Sequence, residues 1–284
     1  MPALLAAVSA LAFGVGDFLG GLSARRMAAA ISGLTAQTTG FLLLMVAATV
    51  AGGSPGGTDW AWGVAAGASG AMAVVVFYWA MAVGQMSVVA PVSAVTAALM
   101  PFAFGLASGE RPSAVALLGT IGALVAIVLI SRERGDPTGD DERSGLQPRG
   151  GPVLAASLLS GVGFGGFLVF ISRSGADSGL WPVAAARATA VVIVGAVTLA
   201  WRPGRPSADG IRLAVFAGAF DVTANSMFLV ASRSGLLTLV GVIGSMYPAS
   251  TVVLARWVLR ERLAAHQLAG LGLAALSVVA IATG

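Results

Sequence analysis

Apolar residues run through this chain in ten long blocks, each close to the length needed to cross a bilayer and each broken by a short polar stretch. The blocks predict helices at 3–22, 31–51, 60–82, 86–107 and 113–131, then at 152–172, 181–201, 210–231, 236–259 and 264–283. Gly, Ser, Pro and charge mark the breaks, as in GGSPGGTD at 52–59 and RPGRPSAD at 202–209. With short loops, ten such helices use up the whole chain and leave no room for a water-soluble domain.

The second five blocks repeat the first at a constant offset of 151. Ala80, Gly84, Val89, Glu110, Arg111, Leu117, Gly119 and Ile130 recur as Ala231, Gly235, Val240, Glu261, Arg262, Leu268, Gly270 and Ile281. Val64, Ala66, Gly67 and Ala68 recur as Val215, Ala217, Gly218 and Ala219, and Ser9, Phe13 and Gly14 as Ser160, Phe164 and Gly165. Five is an odd number of crossings, so the second copy enters from the opposite side. The halves are then related by a pseudo-two-fold axis in the membrane plane. The expected fold class is an all-α integral membrane protein, its ten transmembrane helices forming two inverted five-helix repeats. The expected units are 1–131, a charged linker at 132–151, and 152–284. Residues 132–149 carry nine charges and no apolar run, which reads as a flexible linker. The opening MPALLAAVSALAFGVGDF resembles a signal peptide but has no charged n-region. Because its Ser9, Phe13 and Gly14 recur at the start of the second repeat, it is read as a retained first helix.

Composition supports the membrane reading and excludes several chemistries. The chain is 57% hydrophobic and 10% charged, where a soluble domain carries about 25% charged residues. With no cysteine there are no disulfides, thiolate metal sites or Cys nucleophiles, and the single His266 cannot build a His-based metal site. No cofactor and no metal are expected. The net charge of +4 rests on arginine alone, and the arginines cluster in loops, where they set topology. No nucleic-acid partner is expected. Helix parity puts Arg25, Arg26, Arg132, Arg134, Arg143, Arg149, Arg202, Arg205, Arg212, Arg260 and Arg262 on one side, with Arg111, Arg173 and Arg233 on the other beside both termini. By the positive-inside rule the linker faces the cytoplasm. The expected location is the cell (cytoplasmic) membrane.

Charge inside the apolar blocks is the sharpest chemical signal. Among the acids only Asp17 and Asp221 lie there, and among the arginines only Arg187 and Arg256. Each costs roughly 2.5–3.5 kcal/mol near the bilayer centre and so needs a partner or water. Their depths match Asp221 with Arg187, and place Asp17 and Arg256 in the other leaflet. Two roles stand open: ion pairs that hold helices together, or carboxylates that handle a proton or a cationic cargo, for which Asp221, mid-helix and matched by Gly70 in the first repeat, is the leading candidate. Further polar candidates are Gln37, Tyr78, Trp79, Asn225, Ser245 and Tyr247, with Asn225 one turn beyond Asp221 on the same face. Glu110 and Glu261 sit at helix–loop junctions, where a capping role fits. The pairs Gly16/Gly20, Gly63/Gly67 and Gly161/Gly165 are spaced for close helix packing. Pro91, Pro101 and Pro248 lie inside predicted helices and are candidate helix breaks near a transport path.

In this context GVGDFLGGLSARR at 14–26 and ASRSGLLTLVGVIGSMYPASTVVLARWVLRERLAAHQLAGLGL at 231–273 resemble the ten-helix EamA-type branch of the drug/metabolite transporter superfamily. The resemblance covers nearly the whole chain. In the first half it departs at Ala97, which stands where the second half has Pro248. It implies a multi-pass carrier for a small organic metabolite or drug; the further expectation is alternating access around a midplane cavity lined by helices one, three, four, six, eight and nine. The resemblance also implies termini inside, against the charge count. The partners implied are a small-molecule substrate, a proton or other ion if transport is coupled, and the lipid bilayer; nothing requires more than a monomer. An intramembrane enzyme has no HExxH, no Cys and no credible GxSxG elbow to work with. A non-transporting receptor subunit would explain the helices but not the duplication.

Overall fold

The computed structural model describes residues 1–24, 26–83, 86–131, 150–202, 204–247, 249–250, 253–254 and 264–283, with no side chain described at 29, 75, 78, 79, 81–83, 86–91, 130, 131, 150 and 282. Regular structure among the described residues is helical throughout. The first half supplies α1 (Pro2–Ala24), α2 (Ala29–Ala51), α3 (Gly57–Val83), α4 (Met86–Ala107) and α5 (Ala114–Ser131). The second supplies α6 (Gly150–Ser172), α7 (Trp181–Trp201), α8 (Ala208–Ser234), α9 (Leu237–Gly244) and α10 (Ala265–Thr283). Helices α1, α2, α6, α7 and α8 are each long and apolar enough to cross a membrane.

The predicted helices are present, with two informative differences. α8 extends past both predicted ends. At its start the Ser207 hydroxyl caps the Gly210 N–H at 3.1 Å, and Asp209 sits in the positive first turn. The predicted helix 236–259 is instead interrupted after Gly244, with 247, 249–250 and 253–254 helical again among the described residues. Met246 N and Ala249 N then donate three residues back, to the Ile243 and Met246 carbonyls, at 3.0 Å each. The sequence accounts for the break: a proline at 248 has no N–H to offer the Gly244 carbonyl. In the first half Ala97 occupies this position, and α4 runs unbroken through Pro91 and Pro101. These two prolines, expected as helix breaks, do not interrupt α4. Pro248, Arg256, Glu261, Arg262 and the 132–149 linker lie outside the described residues.

Glycine decides which helices meet. α3 lays Gly63 and Gly67 on α7, where a Cβ on Gly63 would come within 2.8 Å of Ala185 Cβ and one on Gly67 within 2.8 Å of Ala186 Cα. α6 presents Gly161 and Gly165 to Ser93, Thr96, Ala97 and Met100 of α4, and Gly163 and Gly166 to Ser69 and Ala73 of α3. Backbones approach this closely only where side chains vanish, which is how apolar helices associate in lipid. The expected packing role of the three GxxxG pairs is therefore visible: Gly16 and Gly20, too, face Ala217 of α8. Packing also joins α1 to α8 and α9, α4 to α9, α2 to α7 and α8, and α5 to α10. A chain of contacts thus links α8, α1, α9, α4, α6 and α3, with α2 and α7 packed on its flank and α5 and α10 behind. Where α4 crosses α9, the Pro101 ring lies against Gly241.

The loops define two faces. One carries the start of α1, the α2–α3, α4–α5 and α6–α7 loops and the α8–α9 turn, and is called the N face below. The other carries the end of α1 and the start of α8, tied by Ser23 Oγ donating to the Gly210 carbonyl at 2.8 Å and by the exposed Arg26–Asp209 pair at 3.8 Å.

Candidate functional site: a charged cluster between α1, α2, α7 and α8

α8 carries Asp221 and Asn225 one turn apart on one side. The Asn225 amide donates to the Asp221 carbonyl at 2.7 Å and to its Oδ1 at 3.2 Å. Arg187 reaches over from α7. Its Nη2 pairs with Asp221 Oδ2, and its Nη1 donates to Gln37 Oε1 of α2. The Arg187 side chain is 7% exposed and that of Asp221 31%, so the guanidinium is buried while its carboxylate partner is half-buried, with Asn225 buried beside it. Removing one partner of such a pair strands the other charge. Arg187 Nε is buried without a hydrogen-bond partner.

Small residues allow the convergence. A Cβ on Gly40 of α2 would stand 3.1 Å from Val222 Cγ2 and 3.7 Å from Arg187 Cδ. A Cβ on Gly218 of α8 would meet the Ala36 backbone, 3.1 Å from its Cα. With both absent, α2 lies close enough on α8 for Gln37 to meet the guanidinium.

Asp17 comes from α1. Its neighbour Gly16 faces α8, 3.2 Å from the Ala217 carbonyl and 3.5 Å from Asp221 N by the same Cβ measure. Gly14 faces the segment beyond α9, 2.6 Å from the Tyr247 carbonyl. On a helical wheel Asp17 falls between these two contact lines. It lies in register with Ala6, Ala10 and Phe13 and opposite Leu4, Val8 and Leu11, which face outward. Ala6 is 0% exposed and Ala10 7%, Phe13 is half-buried, and Asp17 and Gly21 are exposed. The interior side of α1 is therefore closed near the N face and open toward the other end. Asp17 lies within electrostatic reach of Asp221 and Tyr247. Among the described residues it has no ion-pair or hydrogen-bond partner. The Phe13 and Tyr247 rings meet beside it, with centroids 6.3 Å apart and planes tilted by 60°.

Of the residues singled out from the sequence, Asp221, Asn225, Arg187 and Gln37 form one cluster, and Asp17 and Tyr247 lie beside it. Two of the helices involved, α2 and α7, are outside the six expected to line a cavity. Tyr78 and Trp79 are on α3, but their side chains are not among those described. Ser245 is buried and bonds the Gly241 carbonyl of its own helix at 2.9 Å.

Glu110 takes the capping role. Its two carboxylate oxygens accept the Leu237 and Thr238 N–H groups at 2.8 Å and the Thr238 hydroxyl at 2.9 Å, covering the open start of α9. Arg233 was not singled out as a site residue. Its Nη2 donates to the Gly175 carbonyl at 2.7 Å and to Ser178 Oγ at 2.6 Å. Its one sequence signal was a position in an Arg-poor set of loops.

Comparison with known proteins agrees with this architecture. Residues 151–283 match the model of the EamA-like transporter family. A solved structure described only as the crystal structure of a protein has a TM-score of 0.76 to this chain at 16% identity, over 98% of this chain and 95% of its own. That likeness is one of fold. No curated protein matches the chain.

Proposed function

We propose that this chain, whose residues 151–283 match the EamA-like transporter family model, is a multi-pass membrane protein of that family within the drug/metabolite transporter superfamily and a secondary carrier for a small organic metabolite or drug. The observation that carries this is the charged cluster inside apolar helices. Asp221, Arg187, Gln37 and Asn225 are held between two halves of the chain, with Asp17 exposed on an interior helix face. Charge at this depth is tolerated where it faces protein or water. Two carboxylates stand against one guanidinium among the described residues. The site favours a cargo group of positive charge, or a proton carried on Asp17.

Packing supports two inverted repeats. Exchanging α1–α5 with α6–α10 turns the α1·α8 contact into α6·α3, α2·α8 into α7·α3, and α4·α6 into α9·α1, all of which occur. Such a pair of halves can close on either face in turn, the basis of alternating access. The buried start and exposed end of the α1 interior side fit a state closed at the N face. Energy would come from the gradient of the cargo or of an ion.

The test is flux into liposomes that contain only this protein, with a panel of cationic, zwitterionic, neutral and anionic solutes. Saturable uptake of a cationic member is expected, and Asp17→Asn should reduce it at least tenfold while leaving the melting temperature within a few degrees. Unchanged uptake by a well-folded Asp17→Asn protein would remove Asp17 from the site.

A further inference from the structure

The N face is held by an arginine contact whose arginine has no sequence counterpart at the matched position of the other face. Arg233, near the end of α8, donates from Nη2 to the Gly175 carbonyl and Ser178 Oγ of the α6–α7 loop at 2.7 and 2.6 Å, with Ser174 Oγ at 3.4 Å. That loop is itself anchored to the first half. Asp59 Oδ1 accepts the Gly175 N–H at 2.7 Å, and the Ser54 N–H donates to the Asp177 carbonyl at 2.8 Å. Asp59 and Asp177 also lie within electrostatic reach of the Arg233 guanidinium. α8 packs with α1 and α2, whereas the α6–α7 loop belongs with α3, α6 and α7. Through Asp59 and Ser54, which hold the same loop, the Arg233 contact ties the end of α8 to the first half at the N face, across the division between the halves that alternating access would move apart.

In a perfect inverted duplication both faces would close with equal free energy. Residues that match across the offset of 151 cannot favour either face: Glu110, which caps α9, recurs as Glu261, and Thr238 has a hydroxyl counterpart in Ser87. Arg233 does not match. Its counterpart is Ala82, and the counterpart of Asp59 is Gly210. The loop anchor does have an equivalent there, in Ser23 Oγ to the Gly210 carbonyl and Arg26 with Asp209, so the unmatched part is the Arg233 guanidinium, for which Ala82 supplies no donor.

We propose that Arg233 is a latch that holds the N face closed and biases the carrier toward the state open at the opposite face, Asp59 keeping the receiving loop in place. This rests on the carrier reading above. Releasing the latch should shift the population toward the N-face-open state without changing the cargo site.

Because the chain contains no cysteine, single cysteines can report both faces. Ala6→Cys probes the closed end of the α1 interior side. Gly21→Cys probes the open end, where an added Cβ meets nothing within 4 Å. Each is labelled with a membrane-impermeant maleimide, applied from either side of oriented vesicles containing the full chain. Arg233→Ala should raise the labelling rate at Ala6→Cys at least fivefold and lower it at Gly21→Cys. Arg233→Lys and Asp59→Asn should give smaller shifts in the same direction. Unchanged rates at both sites would overturn the latch, as would rates that rise together with a loss of melting temperature, which marks loosening rather than a change of face. Flux of the solute panel is measured alongside. Flux that persists while labelling stays unchanged refutes the latch alone; absence of flux for every solute refutes the carrier reading.

Discussion

At the scale of single residues, the Arg187–Asp221 pair separates structural from functional charge. Breaking a buried pair by removing one partner is costly, about 3–5 kcal/mol, while removing both charges together is far milder. Asp221→Asn alone should therefore lower the melting temperature in detergent sharply. The double change Asp221→Asn with Arg187→Gln should recover most of it, since the remaining amides can still bond Asn225 and Gln37. If the single variant melts like the parent, the pair contributes nothing to stability. The pairing itself was legible in the sequence, because two opposite charges at matched depth in apolar helices have few other partners. The contribution of Gln37 was less so: its contact depends on Gly40 and Gly218 letting α2 settle on α8, and a lone glutamine in an apolar helix carries no such signal. Arg233 was less legible again, because a loop-proximal arginine reads as a topology signal until its acceptors on another loop are known.

At the scale of helices, glycine spacing and capping make separate claims. Gly67 sits on the α7 backbone at Ala186, and a backbone cannot yield as a side-chain tip can. Gly67→Val should cost about 1–3 kcal/mol as an overpacked contact, read as a lower melting temperature, whereas the same change at Gly21 should be close to neutral. Glu110→Gln should weaken the start of α9 by about 1–3 kcal/mol, since one of the two acceptor oxygens becomes an NH2 that leaves an N–H without its acceptor, and the other bond loses its charge assistance. A helix-local loss of hydrogen-exchange protection over 237–244 would report it, and unchanged protection there would remove the capping role. Nine of the ten helix spans were readable to within a few residues from apolar length alone. That of α9 was not. Its apolar run continues past Pro248, and hydropathy does not register that a missing N–H interrupts the helix after Gly244 while Ala97 lets α4 continue.

At the scale of the whole molecule, the proposed inverted duplication would supply two equivalent closures, and unmatched residues such as Arg233 would bias them. The match at an offset of 151 was visible directly in the sequence, and the exchange of contacts between halves follows the same rule. What the sequence could not supply was the side of α1 that Asp17 presents. That depends on two glycine contacts with helices distant in the chain. The measurement that bears on the whole account is counterflow in liposomes: vesicles loaded with one unlabelled cationic solute from the panel, diluted into its radiolabelled form without ATP. A carrier with Asp17 at its site should show transient accumulation of label above protein-free vesicles, saturable in solute and lost in Asp17→Asn. If no solute in the panel, whatever its charge, gives counterflow above protein-free vesicles with folded protein present, this chain is not a carrier of such molecules.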